Sequence, residues 1–215
     1  MSFLTVFSFW PLLLSGFLTT LLLSAVAIVG GGIVGAVVGV AVTDAPRWVR
    51  WILTLYIGLF RGTPLLIQLF LIYLGLPYVG INLDVFAAAA IGFTLYGGAY
   101  VAEIVRSGLE AVPAGQREAA ASNGLTYLQT LRHVVAPQSL RTATAPLLSF
   151  FLSVIKDTSI ASIIGYVDII QQGQAVIAIT NQPFQAYVVV AAAYFAVCFP
   201  ISLIVGRFEK RLARA

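Results

Sequence analysis

Apolar residues fall into five long runs along the chain, and short polar or charged segments separate these runs. A membrane-spanning helix needs about 20 mostly apolar residues, and each run is at least that long. We predict spans at about residues 12–42, 51–76, 85–107, 143–165 and 184–206. The pattern therefore predicts an all-α integral membrane protein in which residues 1–215 form one membrane domain of about five helices.

The composition supports this fold class, because 60% of the residues are apolar and only 9% are charged. A water-soluble domain of 215 residues needs more charged side chains to cover its surface. The formal net charge is +4, but the basic residues lie at the ends of apolar runs rather than on one face. This distribution is typical of membrane topology, so we expect contact with membrane lipid and no nucleic-acid partner.

Most of the Lys and Arg residues cluster in three segments, at residues 47–50, 106–141 and 207–214. Five crossings place all three segments on the same side of the membrane. Positively charged loops stay in the cytoplasm, so the pattern predicts an N-terminus outside and a C-terminus inside. The polar loop at about residues 108–142 is then cytoplasmic.

The polar loop has the sequence signals of a helix-turn-helix. Pro113 can start a first helix, and Asn123 and Gly124 can stop it. Thr126 then begins a second helix with a capping-box glutamine three residues later, and we expect Pro137 to close that helix. The residues alone leave two interpretations open: the loop lies on the membrane surface, or it is gripped by a soluble partner.

Four ionisable residues lie inside the predicted spans, where charges are costly and are functional candidates. They are Arg61, Glu103, Lys156 and Asp157. One interpretation is internal pairing, for instance of Arg61 with Glu103. The other is that they line a polar pathway, to which nearby hydrogen-bonding side chains also contribute, namely Thr63, Gln68 and Thr158.

Gly62 and Pro64 favour the pathway interpretation, because they interrupt the second span and free backbone groups that lipid cannot satisfy. Asp84 and Asp168 lie at the outer ends of spans, and we expect both to be solvated. Gly31, Gly35 and Gly39 recur every four residues and predict a helix face for close packing. A lone His133 offers no coordination set, so we expect no metal site.

One motif in the polar loop has a recognisable spacing. Glu118, Ala119 and Ala120 are adjacent, and Gly124 follows after three intervening residues. Nine residues separate Gly124 from Val134, and one residue separates Val134 from the pair Ala136 and Pro137. This resembles the cytoplasmic EAA loop of the integral-membrane subunits of bacterial ATP-binding-cassette importers. That pattern has Ile and Leu where this chain has Val134 and Ala136, and both replacements are apolar.

Three further stretches resemble the polar amino-acid permeases within that group. They are FRGTPLLIQLF at residues 60–70, GAYVAEIVRSGLEAVPAGQREAA at residues 98–120 and IKDTSIASIIG at residues 155–165. The resemblance covers about residues 15–207. It implies a permease subunit in the bacterial cytoplasmic membrane, forming the translocation pathway for polar amino acids.

The resemblance also implies partners for this chain. They are a second permease subunit, identical or similar, two cytoplasmic ATPase subunits and an extracytoplasmic amino-acid-binding protein. Coupling to the ATPases is implied for Glu118, Ala119, Ala120, Gly124 and Pro137. The chain has no GxxxxGK[ST] motif, so we expect no bound cofactor and no catalytic residue here, with ATP and Mg held by the partner ATPases.

An alternative interpretation is an ion-coupled secondary transporter of small polar solutes that uses Glu103 and Asp157 as relay groups. Five spans without a visible internal repeat argue against it. An intramembrane hydrolase is more remote still, since no motif fixes a nucleophile beside a base.

Overall fold

The computed structural model describes residues 3–212, and this part of the chain is helical with short connections and without strands. The α-helices are α1 (Phe3–Phe7), α2 (Trp10–Asp44), α3 (Arg47–Gly62), α4 (Leu65–Phe70), α5 (Val85–Glu110), α6 (Ala114–Ser122), α7 (Tyr127–Thr130), α8 (Ala136–Asp157), α9 (Ile169–Thr180) and α10 (Pro183–Leu212). Within residues 3–212, four helices are long and apolar enough to cross a membrane, or five if the bent pair α3 and α4 forms one span. The all-α fold class is confirmed. Residues 213–215, which include the last arginine of the third basic segment, lie outside the described residues.

Helices α2 and α5 form the tightest pair in the bundle. Gly31, Gly35 and Gly39 are buried on one face of α2. A Cβ added at Gly31 would lie 3.1 Å from the Gly97 backbone, and one at Gly39 would lie 2.7 Å from the Ala102 carbonyl oxygen. The contacts advance in the same direction along both helices, so α2 and α5 run parallel, and the predicted glycine packing face is confirmed.

The second apolar run forms a bent pair of helices instead of one straight helix. Thr63 is extended, with φ −119° and ψ 147°, and Pro64 follows it. Proline lacks an N–H and disfavours helix at the residue before it, so α3 ends at Gly62. The chain turns by 108° before Leu65–Val79, which is α4 continued by a π-helical turn and a 3₁₀ turn. The predicted interruption at Gly62 and Pro64 is confirmed.

The second helix of the polar loop does not end at Pro137, and this prediction was wrong. A π-helical turn at Leu131–Val135 joins α7 to α8, and the Ala136 N–H bonds to the Leu131 carbonyl five residues earlier. Pro137 lies in the first turn of α8, where a residue without an N–H is tolerated. The helical path therefore runs unbroken for 38 residues, from Tyr127 to Ile164.

Helix α9 packs against the opposite end of α2 from the polar loop. The Ile169 N–H donates to Thr20 Oγ1 at 3.1 Å, and Asp168 caps α9 through Oδ1. Asp168 is fully buried, so the expectation that it is solvated was wrong; burial raises the pKa of its carboxyl to about 6. Asp84 is exposed, as expected, and caps α5.

The main apolar core lies between α2, α4, α5 and the end of α8. Its fully buried members include Leu23, Leu69 and Phe93, and Ala161 joins them from the 3₁₀ turn that follows α8. This core holds the end of the bundle that lies away from the polar loop. The loop end has its own smaller apolar clusters and carries most of the charged side chains.

Candidate functional site

The polar loop forms a compact helix-turn-helix. Pro113 precedes α6, and α6 ends at Ser122 with Asn123 as its C-cap. Gly124 has a φ of 76°, which lets the chain reverse without the strain that a side chain causes there. Thr126 and Gln129 form the predicted capping box at the start of α7. The start and stop signals of the first helix and the start signal of the second are therefore confirmed.

Four of the five residues that the sequence links to coupling face outwards. Glu118, Ala119, Gly124 and Pro137 are exposed, whereas Ala120 is 6% exposed and packs inside the loop. A Cβ at Gly124 would meet no atom within 4 Å. A partner therefore has free access to the turn, and Ala120 holds the turn together from within.

The polar loop is fastened to the membrane helices by polar and apolar contacts. The Arg117 guanidinium donates to the Leu109 carbonyl of α5 at 3.2 Å. The Tyr127 hydroxyl donates to the Asp44 carboxylate at the end of α2. Leu109 and Val135 share one apolar cluster beneath the loop. Since α7 also continues into α8, a force on the turn is transmitted to three membrane helices.

A charged cluster lies on α5 near the same end of the bundle. Glu103 accepts from Arg106 Nη2 at 2.6 Å and from Arg106 Nε at 2.9 Å, and Arg61 Nη1 lies 3.5 Å from its Oε1. Arg106 also donates to Glu110 at 2.6 Å. The Arg61 guanidinium lies over the Tyr100 ring, 5.5 Å from its centre. The predicted pairing of Arg61 with Glu103 is present, but Arg106 makes the closer contact.

This cluster lines an open cavity of about 750 Å³ between α2, α3, α5 and the start of α6. The charged side chains around the cavity come from four helices. They are Asp44, Arg50, Arg61, Glu103, Arg106, Glu110 and Arg117. A cavity with both signs of charge can pair with both a carboxylate and an ammonium group.

Gln68 and Thr63 stabilise the break between α3 and α4. The Gln68 amide donates to the Phe60 carbonyl at 2.8 Å, to the Thr63 carbonyl at 3.0 Å and to the Thr63 hydroxyl at 2.9 Å. Gln68 is 7% exposed, and its bonds satisfy carbonyl groups that the helix end leaves free. The structure therefore separates Gln68 from the charged cavity and gives it a role at the joint.

The KDTS segment (Lys156–Ser159) lies at the far end of α8. Lys156 and Ser159 line a second cavity of about 420 Å³, together with Tyr187 and Tyr194 of α10. Asp157 is half-buried, whereas Thr158 is fully buried, donates to the Ile155 carbonyl and lies 3.5 Å from the Ser24 hydroxyl. Of the predicted pathway residues, Arg61 and Glu103 thus line the first cavity and Lys156 lines the second. Thr63 and Gln68 lie at the joint between α3 and α4, Asp157 lines neither of the two cavities, and Thr158 is buried between helices.

Two functional candidates are absent from those that the sequence indicates. The charge pattern groups Arg106 with the basic residues of the polar loop, although its spacing from Glu103 and Glu110 by three and four residues is a helix-pairing signal. The bond from Tyr127 to Asp44 joins residues 83 positions apart, and no local pattern indicates it.

Comparisons with known proteins identify the kind of molecule to which this arrangement belongs. Residues 31–214 match the family described as binding-protein-dependent transport system inner membrane component. The chain belongs to this family. The L-cystine transport system permease protein TcyB of Bacillus subtilis is 38% identical over 96% of this chain and 89% of its own length. The probable glutamine ABC transporter permease protein GlnM of Bacillus subtilis is 35% identical over 98% of this chain and 97% of its own length.

A solved structure of an amino acid ABC transporter with histidines superposes with a TM-score of 0.90. It is 34% identical in sequence and covers 98% of this chain and 99% of its own. The resemblance to importer permeases is confirmed, and the family assignment goes against an ion-coupled secondary transporter. As an inner-membrane component of a transport system, the chain is a multi-pass membrane subunit and not itself an enzyme.

Proposed function

We propose that this inner-membrane component is a permease subunit through which polar amino acids enter a bacterial cell. Relatives that share about a third of its residues are named for glutamine and cystine, which are both polar amino acids. The chain is oriented with its N-terminus outside and the polar loop and C-terminus in the cytoplasm, in line with the positions of its basic residues.

The polar loop is the coupling element of the permease. Its exposed turn, with Glu118 and Gly124, docks with a cytoplasmic ATPase subunit that holds ATP and Mg. The unbroken helical path from Tyr127 to Ile164 is the observation that carries this proposal, because it joins the turn to the KDTS segment. A movement of the ATPase then displaces α8 as one rigid body, so that both of its ends move together.

The two cavities are parts of the translocation pathway. Lys156 lines its outer part, with Asp157 as the next residue along the chain, and Arg61 and Glu103 line its cytoplasmic part. The charges of a zwitterionic amino acid match the mixed charges of the larger cavity. A second permease subunit, identical or similar, closes the open side, and an extracytoplasmic amino-acid-binding protein delivers the substrate to a complex with two ATPase subunits.

The test is a comparison of ATP hydrolysis and amino-acid uptake in reconstituted complexes. Glu118→Lys and Gly124→Asp are each expected to abolish uptake while the permease stays folded, because both change the exposed turn. Arg207→Glu is the matched control, since it reverses an exposed charge outside the polar loop. Uptake that survives both loop variants, or that follows a proton or sodium gradient without an ATPase, contradicts the proposal.

A further inference from the structure

An apolar groove opens between α2, α5 and the helical path through α7 and α8. Its volume is about 460 Å³, and its walls include Ala36, Val40, Leu131 and Leu147. Leu140 also lines it and is 61% exposed. Almost all of the surface inside the groove is hydrocarbon, so the occupant must be apolar over most of its length.

The groove faces away from the charged cavity. Val105 and Leu109 form its wall on α5. Residues turn by about 100° each on an α-helix, which places Val105 about 200° and Leu109 about 240° around from Glu103. The groove and the charged residues of the cavity therefore lie on different sides of α5, and Leu109, which lines both, marks the boundary between them.

The groove extends into the depth of the bilayer. Ala36 precedes the end of α2 at Asp44 by eight residues, which is a rise of about 12 Å. Leu147 lies fifteen residues beyond Arg132 along the helical path, which is about 22 Å. At that depth the surroundings are lipid tails, and an extended peptide would leave its backbone groups without partners.

Arg132 stands at the mouth of the groove, where the polar loop meets the membrane. Its side chain lines the groove and is exposed, and no carboxylate of the described residues lies within 4 Å of it. Arg132 belongs to the π-helical turn Leu131–Val135, a distortion that often occurs at functional sites. A cation at the mouth and hydrocarbon inside match the two ends of an anionic phospholipid.

We propose that this groove is a binding site for one anionic phospholipid, with an acyl chain between α2, α5 and α8 and the headgroup phosphate on the Arg132 guanidinium. The guanidinium supplies charge-assisted hydrogen bonds to phosphate oxygens, and the groove selects for a chain rather than for a compact solute. A bound lipid fills the space beside the π-helical turn and supports the junction between the polar loop and α8.

Native mass spectrometry of the full-length chain, purified with its associated subunits, tests the site. The probe is an equimolar mixture of phosphatidylglycerol and phosphatidylcholine with identical acyl chains. One phosphatidylglycerol per chain is expected to be retained in preference. Arg132→Gln is expected to weaken that retention on the order of tenfold, because it removes one charge-assisted contact. Arg141→Gln, which changes another exposed arginine of the same helical path, is expected to leave it unchanged.

A second pair of variants tests the chain-binding part of the groove. Ala36→Phe fills the groove from an exposed position, so the bundle stays folded while retention of both lipids at this site falls. Val37→Phe is the control, since Val37 is 65% exposed and does not line the groove. Equal losses in Arg132→Gln and Arg141→Gln, no effect of Ala36→Phe, or a lipid-free groove in the assembled complex would each overturn the proposal.

Discussion

The contact between α2 and α5 predicts a graded response to the smallest possible substitution. A Cβ at Gly35 would overlap the Val101 Cβ and would lie 2.7 Å from the Gly98 carbonyl oxygen, and real Cβ contacts essentially never fall below 3.0 Å. A Cβ at Gly31 would meet backbone at 3.1 Å, and one at Gly32 would meet only a ring atom at 3.8 Å. Stability should therefore decrease in the order Gly32→Ala, Gly31→Ala, Gly35→Ala.

The size of the effect follows from two opposing contributions. Alanine gains roughly 0.5–1 kcal/mol over glycine inside a helix, and all three variants share this gain. Forcing an extra methyl group into a packed contact costs roughly 1–3 kcal/mol, and Gly35→Ala bears this cost most fully. We therefore expect the free energy of unfolding of Gly35→Ala to be roughly 1–3 kcal/mol lower than that of Gly32→Ala.

The assay is equilibrium unfolding of the purified chain in mixed micelles, together with thermal unfolding. A difference of 1–3 kcal/mol corresponds to roughly 2–12 °C in melting temperature for a chain of this length. Gly32→Ala is the matched control, because it makes the same chemical change on the same helix. Equal stability of Gly32→Ala and Gly35→Ala would refute the reasoning that the backbones of α2 and α5 are in direct contact.

Three more predictions concern single polar groups. The folded pKa of Asp168 is about 6 and its ordinary value is 3.8, so this carboxyl stabilises the fold below pH 3.8 and the contribution is lost as the pH rises through 6. Asp168→Asn should remove that pH dependence and should raise the free energy of unfolding at pH 7.5 by on the order of 1–3 kcal/mol. Unfolding curves that have the same pH dependence in the variant and in the original chain contradict this prediction. Tyr127→Phe removes the hydrogen bond to Asp44 and should lower the free energy of local opening by about 1 kcal/mol, so amide hydrogen exchange in residues 114–130 should become about fivefold faster. Unchanged exchange means that the bond is not maintained. Glu103→Gln leaves Arg61 and Arg106 without their shared carboxylate and should lower amino-acid uptake on the order of tenfold. Glu110→Gln changes a more exposed carboxylate and should alter uptake little. Equal effects of the two variants would count against a pathway role for Glu103.

Features that depend on neighbouring residues were accessible from the sequence. The capping box of Thr126 and Gln129, the reversal at Gly124 and the break at Pro64 follow from the backbone preferences of a few adjacent residues. The all-α membrane fold class follows from composition in the same way, since lipid selects for apolar side chains along the whole helix.

Features that depend on distant packing were not accessible. The local sequence around Pro137 predicts a helix end, but the π-helical turn at Leu131–Val135 and the packing of α8 allow the helix to continue. Asp168 reads as a solvated cap, and only the approach of α2 buries it. The 108° bend also depends on where α4 finds its apolar contacts. In each case the tertiary environment overrides a correct local rule.

The close contact between α2 and α5 has a consequence for the order in which the protein is made. α2 is synthesised first, but its partner surface on α5 appears only after the bent pair α3 and α4 has left the ribosome. The glycine face of α2 therefore spends that interval against lipid or against the insertion machinery, and its contact with α5 can form only when α5 enters the membrane. Biogenesis of the bundle thus depends on a contact between its first and third long apolar segments.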